Sequence, residues 1–191
     1  MPLAVIPSWN ARGLLPPHDP LSPVSADRSP YEVSLLDLVT RFGTSPERRR
    51  ILKGLLDFRA ALHAMGLVDG FQWLDGSFLE EVEKLEGRAP GDIDVVTFLN
   101  DTSKLLPSAP HDIALDHDAA KLLFKVDSYL FDLDKLPPSE IVLLSAYWYS
   151  MWSHRRTMEW KGFLQVSLAP AEDTLALASL TALALLAGAT P

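Results

Sequence analysis

The sequence predicts an α+β fold for this chain of 191 residues, a mixed sheet flanked by helices with helical segments first and an apolar helix last. Three observations carry that expectation. Two helical periods precede any strand signal, short apolar runs alternate with helical stretches after Gly66, and the last eighteen residues carry no charge.

Residues 1–32 are rich in proline and show little periodicity, so they read as an irregular arm. Ile6, Trp9, Leu14 and Leu15 are costly to leave in water, and the arm is expected to pack on the domain. A short helix is expected over 32–42, with Leu35, Leu36 and Val39 inward. The next helix starts more sharply, with Ser45 as N-cap, Pro46 at the first helical position and Glu47 in the acid-favouring first turn. Its stripe runs Ile51, Leu55, Phe58, Leu62 and Met65, and Gly66 ends it. The opposite face carries Arg48, Arg49, Lys53 and Arg59, which read as a solvated basic face or as the lining of a phosphate site.

After Gly66 the texture changes. A strand at 71–74 ends in Asp75-Gly76-Ser77, an acidic helix is expected at 78–85, and 87–91 is a loop. Ile93–Leu99 is the clearest strand, followed by a polar loop at 100–110, a helix at 118–123 and a strand at 124–131. Pro137-Pro138 punctuates, Ser139 is placed to cap, and an aromatic-rich helix covers 140–153 before a final strand at 162–168. The expected organisation is an arm (1–32), a catalytic-type domain (33–170) and an apolar tail (171–191).

Composition excludes several functions. With no cysteine, there is no disulfide scaffold, thiol nucleophile, zinc finger or thiolate iron–sulfur site. A net charge of −8 argues against bulk phosphate neutralisation, hence against long duplex DNA as a partner. The N-terminus lacks a basic segment followed by a long apolar run, and the expected address is the cytoplasm. The tail is helix-compatible from Leu175 to Ala187 and diluted by Ser179 and Thr181, which falls short of the ~20 apolar residues of a bilayer span. It is expected to be buried or covered by a partner, either another protein or a second copy of the chain.

The chemistry is concentrated in WLDGSFLEEVEKLEGRAPGDIDVVTF. Asp92 and Asp94, two apart at a strand start, leave the same face, while Ile93 points into the core. Like charges side by side repel unless a cation sits between them, and hard oxygen ligands suit Mg2+ or Mn2+. Gly76 permits close backbone approach, and Ser77 with the following amides suits a phosphate. Asp127, with Tyr129 on its face, is the candidate third carboxylate; Asp132 and Asp134 come later. Phosphate donors beside a metal-binding Asp-x-Asp pair follow the logic of metal-assisted phosphoryl or nucleotidyl transfer. The acidic run Glu80, Glu81, Glu83 and Glu86 between them reads as a solvated outer face.

The pattern Gly76-Ser77, helix, Asp92-Ile93-Asp94 resembles the nucleotidyltransferase superfamily of the polymerase-beta type. More closely, the chain resembles a group of small, uncharacterised bacterial nucleotidyltransferase-like proteins, through IPSWNARGLLPP, WLDGSF, PGDIDVVTF, VDSYLF, YWYSMWSHRR and KGFLQVSL. The resemblance covers about residues 5–168 and implies a nucleotidyltransferase-like sheet. It implies that Gly76 and Ser77 bind the terminal phosphates of ATP or another nucleoside triphosphate. Asp92 and Asp94 would hold two divalent ions, with Asp127 as third carboxylate near the incoming hydroxyl, and pyrophosphate would leave. RNA, proteins and small molecules are all acceptors within the superfamily, which also includes antitoxins and inactive relatives; a regulatory, antitoxin-like protein is the alternative, and a nuclease or other phosphate-binding domain a third reading.

A triphosphate needs cations besides the metal, and Arg155, Arg156 and Lys161 are the candidates, with Arg88 on the loop before Asp92. Leu144, Trp148, Met151 and Trp152 have helical spacing and read as core, with Tyr147, Tyr149 or Trp152 as a base-stacking ledge.

Overall fold

The computed structural model describes residues 3–103, 105 and 112–188; most of the expected 100–110 loop and the last three residues of the tail lie outside the described residues. The strands are β1 (Tyr31–Glu32), β2 (Gly70–Asp75), β3 (Ile93–Leu99), β4 (Val126–Asp132) and β5 (Leu164–Ser167). The helices are α1 (Leu35–Phe42), α2 (Pro46–Ala64), α3 (Val82–Glu86), α4 (His117–Phe124), α5 (Pro138–Trp152) and α6 (Asp173–Gly188). The strands form one mixed sheet in the order β1-β5-β2-β3-β4. β2 runs antiparallel to both β3 and β5, while β3 and β4 are parallel, as are β1 and β5. The expected α+β architecture, a mixed sheet flanked by helices with an apolar C-terminal helix, is the one observed.

Period-two alternation divides the sheet into two unlike faces. One face, carrying Gln72, Leu74 and Val95, is covered by α2, whose Ile51, Leu52, Leu55 and Phe58 are buried. The other carries Phe71, Trp73, Phe98 and Phe131, with Trp148 and Trp152 of α5 packed edge-on among them and Phe163. Gly54 brings α2 against the end of α4: a Cβ there would lie 1.8 Å from the Phe124 carbonyl oxygen.

Ser45 caps α2 by accepting from the Arg48 amide, with Pro46 opening the helix as its sequence requires. The arm packs as expected, with Leu14 and Leu15 buried and the Trp9 indole donating to the Leu79 carbonyl at 2.7 Å. The Ser139 cap does not form, because α5 begins at Pro138, two residues before the expected start, and Ser139 lies inside it. Of the α5 stripe, Trp148 and Trp152 are buried, whereas Met151 is exposed at the mouth of the cleft described below.

The basic face of α2 is corrected by tertiary contacts. Arg48 and Arg59 are wholly buried, so they are neither solvated nor free to meet a phosphate. Arg48 donates to Glu83 and to the Phe78 and Glu80 carbonyls, fastening the segment after Gly76 to α2. Arg59 donates to both oxygens of Asp173 at 2.8 and 2.7 Å, to Gln72 and to the Ser167 carbonyl. Guanidinium groups tolerate burial when their donors are all engaged.

Arg59 and Asp173 thereby tie the start of α6 to α2, and the Leu35 amide donates to Glu172 at 2.7 Å. The stretch Pro170–Gly188 is longer than the run the sequence suggested, because a 3-10 turn (Pro170–Glu172) leads straight into α6. Its 19 residues and mean hydropathy of 1.3 make it long and apolar enough to cross a membrane by length and composition. Ala176 and Leu180 are buried, and the helix packs on α1 and α2.

Candidate functional site

Register places three carboxylates on one rung. Asp75 of β2 pairs with Asp94 of β3, and Asp94 pairs with Asp127 of β4. Residues opposite one another in a ladder share a face, so this row crosses the sheet at the edge of its aromatic face. The three strands end or begin here together, which puts the row on a rigid platform. Asp75 was missed in the sequence, where it reads only as the residue before Gly76-Ser77; its position opposite Asp94 depends on pairing that sequence spacing does not reveal.

Gly76 has φ +88, and a Cβ at that position would stand 2.8 Å from Asp94 Oδ2. The backbone therefore presses against the carboxylate in a way only glycine permits. Ser77 begins a 3-10 turn (Ser77–Leu79) in place of the expected helix start; the acidic helix is broken there and resumes as α3. Glu80, between the two, is buried, which corrects the expected solvated face at that residue; Glu83 and Glu86 are exposed as expected, and each is also ion-paired. Glu80 pairs with Lys161 and Arg155, Glu83 with Arg48, and Glu86 with Arg88 and Arg155.

The row opens into a cleft of about 850 Å³. Gly76, Ser77, Asp92, Asp94, Asp127, Arg155, Arg156 and Lys161 all line it, as do Arg88 and His154. That volume falls within the range of small-molecule sites. Tyr129, Trp148 and Trp152 form an aromatic side; Tyr147, expected as a possible stacking ledge, is exposed and lines no part of the cleft.

The predicted cations are placed differently from one another. Lys161 is buried, with Nζ 2.8 Å from Asp75 Oδ1 and 3.2 Å from Glu80 Oε1. Burial opposes its charge, but Asp75 and Glu80 outweigh that and hold its pKa above the ordinary value. Burial pushes Asp75 up despite the pull of Lys161. Arg155 is held by Glu80 and Glu86 at 3.0 and 2.5 Å. Arg156 is exposed and, among the described residues, has neither an ion pair nor a side-chain hydrogen bond, which leaves it available to an anion in the cleft. Lys161 and Arg155 are thus the cross-braces of the site floor rather than open phosphate ligands.

Two further residues, both from α4, act on Asp127. Lys121 bonds Asp127 Oδ2 and stands 3.1 Å from Asp92 Oδ2; hydrogen bonding to Asp127 drives its pKa up. His117, one helical turn earlier, places Nε2 3.5 Å from Asp127 Oδ1. Its Nδ1 lies 3.0 Å from the Ser128 carbonyl, which only accepts, so Nδ1 carries hydrogen and Nε2 is the ring atom turned to Asp127. Asp127 Oδ1 is buried and makes no hydrogen bond, His117 Nε2 being its neighbour at 3.5 Å. The i, i+4 spacing of His117 and Lys121 just before a strand was the available sequence signal.

Asp94 has no hydrogen bond or ion pair to its carboxylate among the described residues, and its pKa is pushed up to about 6 by burial and then by Asp92 and Asp127. Among the described residues, no three or more acidic or histidine side chains are arranged closely enough to hold a metal ion as they stand. The donor set fits a divalent cation on other grounds. Asp127 Oδ1 makes no hydrogen bond, Asp94 has no ion pair among the described residues, and an ammonium already lies between Asp92 and Asp127.

Fold and site together define an α+β protein with an acidic-rung cleft at the strand ends of a mixed sheet. Residues 7–167 match the model of a family of unknown function (DUF6932), and the chain belongs to that family. No curated protein and no solved structure matches the chain.

Proposed function

We propose that the protein is a metal-dependent nucleotidyltransferase that moves a nucleoside monophosphate from ATP or another nucleoside triphosphate to a hydroxyl acceptor. The observation that carries this reading is the Asp75–Asp94–Asp127 rung abutting Gly76, with a buried Asp127 oxygen that makes no hydrogen bond. Asp94, Asp92 and Asp127 would hold Mg2+ or Mn2+, which supplies charge neutralisation at the phosphates. Gly76 and Ser77 line the cleft where the phosphates would lie, and Arg156 is an exposed cation of the same lining. Lys161 holds Asp75, one end of the row, and with Arg155 holds the buried Glu80. Tyr129 and Trp152 offer ring faces for a base, since stacking tolerates any base.

The test is incubation with labelled nucleoside triphosphates, Mg2+ and a cell extract, alongside an Asp92→Ala, Asp94→Ala double variant. Label entering an RNA, protein or small molecule with wild type alone supports the reading. No transfer, together with equal calorimetric nucleotide affinity in both proteins, overturns it.

A second reading, a non-catalytic, antitoxin-like partner-binding protein on the same fold, is favoured by one observation. Three cations of the cleft, Lys121, Arg155 and Lys161, are engaged with carboxylates and not open to a triphosphate. Nucleotide binding without transfer in the same screen would select it.

A further inference from the structure

Lys121 belongs to no motif of the sequence, yet it occupies the centre of the acidic cluster. Its ammonium contacts Asp92 and Asp127 from the last turn of α4, and no ion pair joins it to Asp94. Three carboxylates and one ammonium leave a charge deficit of two at Asp92, Asp94 and Asp127 (−3 + 1 = −2). That matches one divalent ion. The lysine side chain is 45% exposed and sits on a four-carbon stem, so it is free to swing outward without moving α4.

We infer that the Lys121 ammonium is a tethered occupant of one cation position, so the resting cleft takes one divalent ion, at Asp94, and admits a second only when Lys121 withdraws. The inference rests on the metal-assisted reading of the cleft. Asp94 is where the first ion goes because, unlike Asp75 and Asp127, it has no ion pair or side-chain hydrogen bond among the described residues, Lys121 and Lys161 acting on it only from a distance. Asp92 and Asp127 already share a positive charge, and an incoming ion there must displace it against a hydrogen bond made by both. Lys121 is a positioning residue: it sets how many ions the carboxylates hold.

The test is a Mn2+ titration of the full chain in which free ion is followed by electron paramagnetic resonance. Wild type is expected to bind one ion, Lys121→Met two, and Lys121→Arg one, because the guanidinium keeps the charge. Asp94→Asn is expected to weaken the first site about tenfold or more. Lys121→Gln serves as a second neutral variant, and a thermal melt of each confirms folding. Any wild-type stoichiometry other than one, or equal stoichiometry in wild type and both neutral variants, overturns the inference. Absence of Mn2+ binding by all five proteins, with ATP added as well, overturns the metal-assisted reading itself.

Discussion

Gly76 and Asp94 are in contact across the end of the sheet: any Cβ on Gly76 would come to 2.8 Å of Asp94 Oδ2 and 2.9 Å of its carboxyl carbon. The glycine also holds φ +88, a conformation that L side chains rarely adopt. Gly76→Ala therefore combines backbone strain with displacement of the least compensated carboxylate in the site. The expected outcome is a stability loss of about 1–3 kcal/mol and at least tenfold weaker Mn2+ binding, read by denaturant melts and ion titration. Unchanged ion affinity in a folded Gly76→Ala protein would remove Asp94 from the binding site.

Asp94 makes stability depend on pH with a definite sign. Its pKa rises from 3.8 to about 6, owing to burial and then to Asp92 and Asp127. A raised folded-state pKa gives stability that is complete below the unfolded value and disappears as pH climbs through about 6. In chelator, Asp94→Asn should melt higher than wild type at pH 7.5, by on the order of 2 kcal/mol, and the two should converge near pH 4. Added Mg2+ should raise the wild-type melt and raise the variant's only at about tenfold or more higher concentration. A pH-independent difference between the two would refute the assignment.

Lys161 separates bracing from ligand contact. Removing it as Lys161→Met leaves Asp75 and Glu80 buried without their shared cation. A stability loss of about 3–5 kcal/mol is expected, recovered in part by adding Asp75→Asn. A phosphate ligand would behave oppositely, with near-normal stability and lost nucleotide affinity.

Arg59 and Asp173 predict how α6 is held. Arg59→Met should cost about 3–5 kcal/mol in a urea melt, since Asp173 and the Ser167 carbonyl lose a buried partner. Limited proteolysis should then cut first near residues 169–173, where the chain enters α6. Wild-type resistance there would show that apolar packing alone holds the helix.

Much of the fold was legible because its signals are local. Ser45-Pro46 marked the start of α2, Gly66 its end, and the alternation of 93–99 marked β3. The Asp92 and Asp94 pair and Gly76-Ser77 were legible for the same reason, being short motifs at turns. The burial of Arg48 and Arg59 was not, because a helix that is basic on its outer face and one whose arginines reach inward to distant carboxylates look alike in sequence. Arg59 finds its partner 114 residues away. Glu80 misled similarly: it is buried, and its partners Arg155 and Lys161 lie on the segment after α5.

The sequence by itself determined the α+β class, the absence of thiolate chemistry and the identity of the Asp-x-Asp strand, since periodicity, composition and strand-edge spacing are properties of neighbouring residues. Only the tertiary structure decided that Asp75 completes a three-carboxylate rung, that Lys121 lies between Asp92 and Asp127, and that Lys161 and Arg155, though they line the cleft, are engaged by buried carboxylates. Those relationships are set by strand register and by ion pairs across the sheet, where free energy depends on distance and burial and not on separation along the chain.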